Sequence, residues 1–224
     1  MLLVCTGNLC RSPLAERLGT AYVQEALGDH AGAVQLASAG TAAVVGSGMH
    51  PHSALVLQGL GGEPAGFRAR QLTSAMAGHA DLVLGMTRAH RRTVLEAAPR
   101  GLSRTFTLRE SADLVSRLGA GTDVPGDTFP SRARTLVQQM ADARSHRRAR
   151  ADDDVLDPIG LPLEVHEEVG EAIAEALLTL LGAVVALHRE DETAPQHHQV
   201  GEAPTSGPGW TADRGRTSQP TSSG

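Results

Sequence analysis

Cys5 and Arg11, with five residues between them near the start of the chain, are the residues whose types and spacing can do chemistry. Thr6, Gly7, Asn8, Leu9 and Cys10 lie between them, and Ser12 and Pro13 follow. A cysteine in a loop that leads into a helix N-terminus meets unpaired backbone N–H groups and the positive end of a dipole. Both favour an anion, which makes Cys5 a candidate nucleophile. Arg11 adds a planar fork that matches two phosphate oxygens. Gly7 permits tight backbone, Asn8 tolerates a left-handed turn, and the Ser12 hydroxyl is placed to donate to the thiolate. The chemistry this set assembles is phosphoryl transfer through a cysteinyl-phosphate, with Thr6, Gly7, Asn8, Leu9, Cys10, Arg11 and Ser12 as the phosphate loop.

Such a loop needs a strand before it and a helix after it. Leu2, Leu3 and Val4 are an apolar run of buried-strand type, and Ser12 and Pro13 read as an N-cap and first-turn pair. Leu14, Leu18, Tyr22 and Ala26 then repeat at i, i+4 as the stripe of a first helix. Further strands are expected at Val34 to Ala37, Asp81 to Gly85 and Thr105 to Leu108. Helices are expected from about His52 to Leu60 and from Thr87 to Glu96, stopped by Pro99. Alternating strands and helices imply an α/β fold: a mostly parallel four-stranded sheet in the middle of three layers, with helices on both faces. Ligands in such sheets bind outside the carboxyl ends of the strands, where Cys5 falls.

Val165, Val169, Ile173, Leu177, Leu180 and Val184 form the apolar stripe of a last helix, opposite Glu168, Glu171 and Glu175. From Glu190 the composition turns to Pro, Gly, Ser, Thr and Gln. This organisation predicts a folded domain over 1–189 and a disordered polar tail over 190–224. A longer insert spans about 112–154: Gly119 to Pro130 reads as a loop and Arg132 to Arg144 as a helix. The run His146-Arg147-Arg148-Ala149-Arg150, meeting Asp152-Asp153-Asp154, reads as a solvated face. The minority reading of that run is a rim that selects phosphoprotein partners.

The net charge of −5 gives no reason to expect nucleic acid. No stretch looks long and charge-free enough to cross a bilayer, and no leader precedes Leu2, so a cytoplasmic protein without membrane insertion is expected. Cys5 and Cys10 are the only cysteines, which excludes a disulfide framework and suits a reducing compartment. His50-Pro51-His52 reads as a loop and His197-His198 as part of the tail, so neither is expected to bind metal; no cofactor is implied.

The segment VCTGNLCRSP resembles the active-site loop of the low-molecular-weight protein tyrosine phosphatases, whose pattern is V-C-x-G-N-x-C-R-S-P. The resemblance continues in Ser38-Ala39-Gly40-Thr41, in Arg68-Ala69-Arg70-Gln71-Leu72-Thr73 and in Ala80 to Met86, and closes with Asp157-Pro158 before the last helix. It implies a Rossmann-like fold of the phosphotyrosine phosphatase I type, metal-independent hydrolysis, and tyrosine-phosphorylated proteins as partners. It puts the general acid on Asp157, where Pro158 biases the carboxylate to project from a stiff loop; Asp152, Asp153 and Asp154 are the competitors. Cys10 reads either as a small buried residue shaping the loop or, as the resemblance implies, as the partner of Cys5 in a reversible, protective disulfide.

Three positions depart from the family pattern. Ile159 stands where many members have an aromatic after Asp-Pro. Val44 and Val45 stand where many have a Trp, and Phe67 replaces a His expected to brace the loop. The substrate slot is then walled by Leu9, Val44 and Ile159, which accept a ring but stack on it less well than aromatics. The alternatives are a protein arginine phosphatase of the same fold and a non-catalytic phosphoprotein-binding module. Apolar Leu9, where arginine phosphatases tend to carry Thr, favours an aryl phosphate, and intact Cys5, Arg11 and Asp157 argue against a dead module. Arsenate reductases need further cysteines that this chain does not have.

Overall fold

The computed structural model describes residues 1–119 and 121–193, excluding the side chains of 189–193. Four short strands, β1 (Leu2–Cys5), β2 (Ala37–Gly40), β3 (Val83–Gly85) and β4 (Thr105–Thr107), form one sheet in the order β2-β1-β3-β4. Every pairing is parallel, with Cys5 in register with Gly40 and Val4 with Gly85. The helices are α1 (Arg11–Leu27), α2 (Pro51–Gly59), α3 (Ser74–His79), α4 (Arg88–Ala97), α5 (Leu108–Leu118), α6 (Phe129–Arg144) and α7 (Leu163–Thr193).

Strand alternation divides the core into two. Leu3, Cys5, Leu84 and Phe106 face the larger side with residues of α1, α2, α5, α6 and α7, while Leu2, Val4, Ala39 and Val83 face Ala77 of α3 and Val94 of α4. Parallel strands buried on both faces read as unbroken apolar runs, which is why LLVC shows no alternation in sequence.

The helix stripes follow the same geometry. In α1, Leu14 and Leu18 are buried, but Val23 and Leu27 replace Tyr22 and Ala26 in the core further along. From Leu18 to Val23 the step is five residues, so the buried stripe moves on by one residue and drifts around the helix further than the 40° per step of a strict i, i+4 repeat. Gly19 lets α1 approach α7 closely, since a Cβ there would press on Leu177 and Leu181 at 3.2–3.3 Å.

The expected strand at Val34 to Ala37 begins three residues later. Val34 and Leu36 pack beside the core, and the pairing falls on the small residues Ala37-Ser38-Ala39-Gly40. At Gly40 no side chain fits, because a Cβ there would collide with the Thr6 carbonyl. α3 and α5 were not anticipated, although α5 carries a readable start signal: Thr107 and Glu110 form a reciprocal capping box.

The charge run is corrected in part: His146, Arg148, Arg150 and Asp152 are exposed as expected, but Arg147 and Asp153 are not. Arg147 and Asp153 are both 4% exposed and make a two-pronged ion pair, and Arg147 Nε also donates to Asp113 at 2.6 Å. A sequence pattern cannot show that a cation and an anion six residues apart meet face to face inside a fold, where each satisfies the other. The helix from Leu163 to His188 is also long and apolar enough to cross a membrane by length and composition, contrary to expectation. Its apolar side is used within the domain: Val169, Ile173, Leu177, Leu180 and Leu181 are buried in the larger core, and the helix packs on α1, α2 and α5. The helix takes in the first four residues of the expected tail, 190–193; the rest of that tail, including His197 and His198, lies outside the described residues.

Candidate active site

β1 delivers Cys5 at its carboxyl end, and α1 begins at Arg11. Helix α1 is N-capped by Cys10, without a side-chain cap bond, so Ser12 is not the N-cap expected from sequence. Its hydroxyl is instead 2.9 Å from Cys5 Sγ. Asn8 Nδ2 donates to Ser12 Oγ at 2.9 Å, so the Ser12 proton can point at the sulfur, with the Ala39 carbonyl at 3.5 Å as the longer alternative acceptor.

Asn8 is the brace of the loop. It is fully buried and is the only non-glycine residue with positive φ among those described, at 54°. Its Nδ2 also donates to Ser38 Oγ at 2.8 Å, and its Oδ1 accepts from the Arg70 N–H at 2.9 Å. The Arg70 guanidinium donates to the Ser38 carbonyl at 2.6 Å, and Ser38 Oγ donates to Glu16. The brace sought at position 67 is therefore supplied by the main chain of Arg70, while Phe67 is buried beneath Arg17.

The segment 41–50 turns the loop amides inward. The carbonyls of Cys5, Thr6, Gly7 and Leu9 accept bonds from the N–H groups of Thr41, Ala42, Val44 and His50 at 2.9–3.1 Å. A trans peptide directs its C=O and N–H oppositely, so the N–H groups of Thr6, Gly7, Asn8 and Cys10 face the other way, into the cradle. Gln71 closes this second loop by donating to the Thr41 carbonyl and accepting from the Ala43 N–H.

Arg11 is 3% exposed, with Nη1 donating to the Val155 carbonyl at 3.1 Å and Nη2 bonded to Asp157 Oδ2. Its Nε is buried without a partner, a donor that an oxyanion in the cradle would satisfy. The chain leading to Asp157 is pinned three times: Asp153 to Arg147, Asp154 to the Arg88 guanidinium and N–H, and the Val155 N–H to the Met86 carbonyl at 2.8 Å. Asp153 and Asp154 are thus engaged elsewhere, Asp152 is exposed, and only Asp157 reaches the cradle.

A cavity of about 210 Å³ opens here, lined by Cys5, Thr6, Gly7, Leu9, Cys10, Arg11, Val44, Asp157 and Ile159. The structure brings these together from three parts of the chain; Val44 and Ile159 are half-exposed at its mouth, and Ser12 and Asn8 are buried. Val45 points outward at 69% exposure. A larger cavity of about 440 Å³, lined by Arg88, Arg91, Arg92, Glu96, Glu110 and Asp153 among others, contains no nucleophile.

Two histidine arrangements were not read from the sequence. His90 Nε2 meets Thr6 Oγ1 at 2.9 Å and its Nδ1 meets Thr87 Oγ1 at 2.9 Å, so it props the loop from α4. Burial first, and then the Arg11 charge, push its pKa down to about 4, so it is neutral near pH 7. The contact spans 84 residues, and nothing local announces it. His50 and His52, read as a loop without a role, instead pack around buried His166 of α7, next to Cys10. Burial pushes the Cys10 thiol up to about 11, with Ser53 pulling the other way, so Cys10 is protonated at neutral pH.

A model of the family described as low molecular weight phosphotyrosine protein phosphatase matches residues 1–125. The chain belongs to the low molecular weight phosphotyrosine protein phosphatase family. Members of this family are cysteine-based, metal-independent hydrolases. A protein-arginine-phosphatase of Geobacillus stearothermophilus is 36% identical over 110 residues, 49% of this chain and 69% of that protein. The low molecular weight protein-tyrosine-phosphatase Wzb of Escherichia coli K12 is 36% identical over 99 residues, 44% of this chain and 62% of Wzb. Among solved structures, the YwlE arginine phosphatase from Geobacillus stearothermophilus superposes with TM-score 0.59 at 27% identity, covering 88% of this chain and 97% of that one. The chain thus spans about two thirds of the curated relatives it matches. The family match takes in the phosphate loop but ends before Asp157.

Proposed function

We propose that this chain hydrolyses phosphotyrosine in proteins, with Cys5 as nucleophile, Arg11 and the loop amides as the phosphate clamp, and Asp157 as general acid and then base. The observation that supports it most is one cavity holding a thiol, a guanidinium and a carboxylate, under aliphatic walls. In the ligand-free site Arg11 holds Asp157. An entering phosphate takes over the guanidinium and frees Asp157 Oδ2 to carry a proton to the leaving oxygen. Cys5 Sγ forms the S–P bond as the P–O bond to the aryl group breaks, and Asp157 gives its proton to that oxygen. The same carboxylate then takes a proton from water as its oxygen attacks phosphorus, releasing inorganic phosphate and the Cys5 thiolate. Cys10, whose N–H faces the cradle, also serves in this reading as the resolving thiol that protects Cys5 on oxidation.

Arginine phosphatase is the second reading, favoured by the named relative and neighbour. A phosphoarginine substrate brings a cationic guanidinium, which needs an acidic acceptor. Of the residues lining the cavity only Asp157 is acidic, and Leu9, Val44 and Ile159 make the remaining wall apolar. That supports the aryl ester. The test is kinetics side by side on phosphotyrosine, phosphoarginine and phosphoserine peptides, with p-nitrophenyl phosphate as reference and Cys5→Ser as blank. A higher kcat/KM on phosphotyrosine is expected; a preference for phosphoarginine would reverse the assignment, and turnover by Cys5→Ser would remove the mechanism. Asp157→Ala should slow alkyl-like leaving groups far more than p-nitrophenol.

A further inference from the structure

We propose that Cys10, His50 and His166 form a site for a divalent cation of the zinc class, behind the phosphate loop and sharing only Cys10 with the substrate cavity. Each residue offers one ligand atom, and the three atoms all lie within 4.8 Å of one another. They come from three elements: the residue that caps α1, the residue that caps α2, and the first turns of α7. A thiolate and two imidazole nitrogens are the donor set that borderline-soft metals select.

The second observation is unused hydrogen-bonding capacity. His166 is 1% exposed, yet its Nε2 has no hydrogen-bond partner, and His50 Nδ1 is buried without one as well. An orphaned buried polar nitrogen costs about 1–3 kcal/mol, so packing alone is a poor reason to place two of them together. A cation bound through those two nitrogens would satisfy both. The ring of His50 lies nearly parallel to that of His166, with centroids 4.7 Å apart. His166 Nδ1 is held by Ser53 Oγ at 2.9 Å, which orients the ring as the outer-shell partner of a metal-bound histidine usually does. His52 meets His166 edge-on at 5.2 Å between centroids but is not one of the three ligands, so water would complete the shell.

Zn–N bonds of about 2.0–2.1 Å and Zn–S bonds of about 2.3 Å put tetrahedral ligands roughly 3.3–3.7 Å apart. The three donors need to draw in by about 1 Å, within the reach of small side-chain rotations. Binding forms the S–metal bond and releases the Cys10 thiol proton to solvent. The bound ion would then tie the phosphate loop to α7 and withhold Cys10 from pairing with Cys5.

The experiment is a Co2+ titration of the reduced full-length protein after chelator treatment. One equivalent should give a sulfur-to-cobalt charge-transfer band together with visible bands of tetrahedral intensity, and Zn2+ should displace both. The sulfur band responds only to cysteine, so Co2+ on other histidines does not produce it. Cys10→Ser should abolish the band and Cys5→Ser should keep it. His50→Gln and His166→Gln should each weaken binding by more than the about 10–100-fold that loss of an outer-shell partner costs. Far-UV circular dichroism checks folding, and if His166→Gln fails to fold, His50→Gln and Cys10→Ser decide. A band that survives Cys10→Ser and is lost in Cys5→Ser puts the ion on the nucleophile and overturns the proposal. So does the absence of any sulfur band. Turnover of p-nitrophenyl phosphate by the metal-free protein reads the phosphatase assignment independently.

Discussion

Replacing Asn8 with Ala tests whether one buried amide sets the shape of the phosphate loop. Three hydrogen bonds disappear, to Ser12 Oγ, Ser38 Oγ and the Arg70 N–H, at 2.9, 2.8 and 2.9 Å. At about 1 kcal/mol net each they sum to about 3 kcal/mol, and partners left unsatisfied in the interior raise the cost rather than lower it. A left-handed φ of 54° adds about 1 kcal/mol for Ala, a conformation that Asn tolerates. Asn8→Ala should therefore lose about 4 kcal/mol, a large share of the roughly 5–15 kcal/mol typical of a domain. Asn8→Gly loses the same hydrogen bonds without the φ penalty and should be the milder variant by up to about 1 kcal/mol. Guanidinium unfolding at fixed pH measures both. Asn8→Ala should also lose kcat/KM beyond what its unfolded fraction explains, because Ser12 loses the donor that aims its proton at Cys5. A loss of stability under about 1 kcal/mol for Asn8→Ala would refute the claim that this amide organises the loop.

Three further outcomes follow from the same geometry. The native pKa of His90 lies near 4, below its ordinary 6.5, so the unfolded chain binds the extra proton and stability falls as pH drops from about 6.5 to about 4. His90→Gln should make that slope shallower in urea unfolding across the window. It should not abolish it, since burial lowers the pKa of His50 and His166 in the same direction. Burial opposes ionisation of Asp153, but its Arg147 and Arg150 hydrogen bonds outweigh it, so its carboxyl stays below the usual range. Asp153→Asn leaves Arg147 buried beside half its partners and should cost about 3–5 kcal/mol in denaturant unfolding. Because that stretch also anchors Asp157, turnover on poor leaving groups should fall more than on good ones. Gly40→Ala drives a Cβ into the Thr6 carbonyl and should lower Tm and kcat/KM together, a pairing that a surface change would not produce.

The first ten residues carry much of the chemistry in readable form, because the requirements of an anion loop are local. A strand end, a glycine, a residue that tolerates left-handed φ, and a helix start must follow one another along the chain. The parallel α/β architecture was legible for a similar reason: apolar runs and helical stripes are periodic features. β2 was displaced in the reading because close backbone approach selects small residues there, and hydrophobicity does not register that requirement. Ser12 read both as a cap and as a donor to Cys5; its contact with the sulfur is found, while the cap falls to Cys10 because the helix begins at Arg11.

Sequence by itself determined the nucleophile loop and its elements, since these depend on residues within a few positions of each other. Only the tertiary structure decided which of four nearby aspartates reaches Arg11, that two members of an otherwise exposed charge run, Arg147 and Asp153, form a buried lock, and that His50, His52 and His166 meet beside Cys10. The physical reason is common to all three. A charge or an imidazole acquires its role from its burial and its partner, and when the partner lies tens of residues away only the packed chain brings the two together.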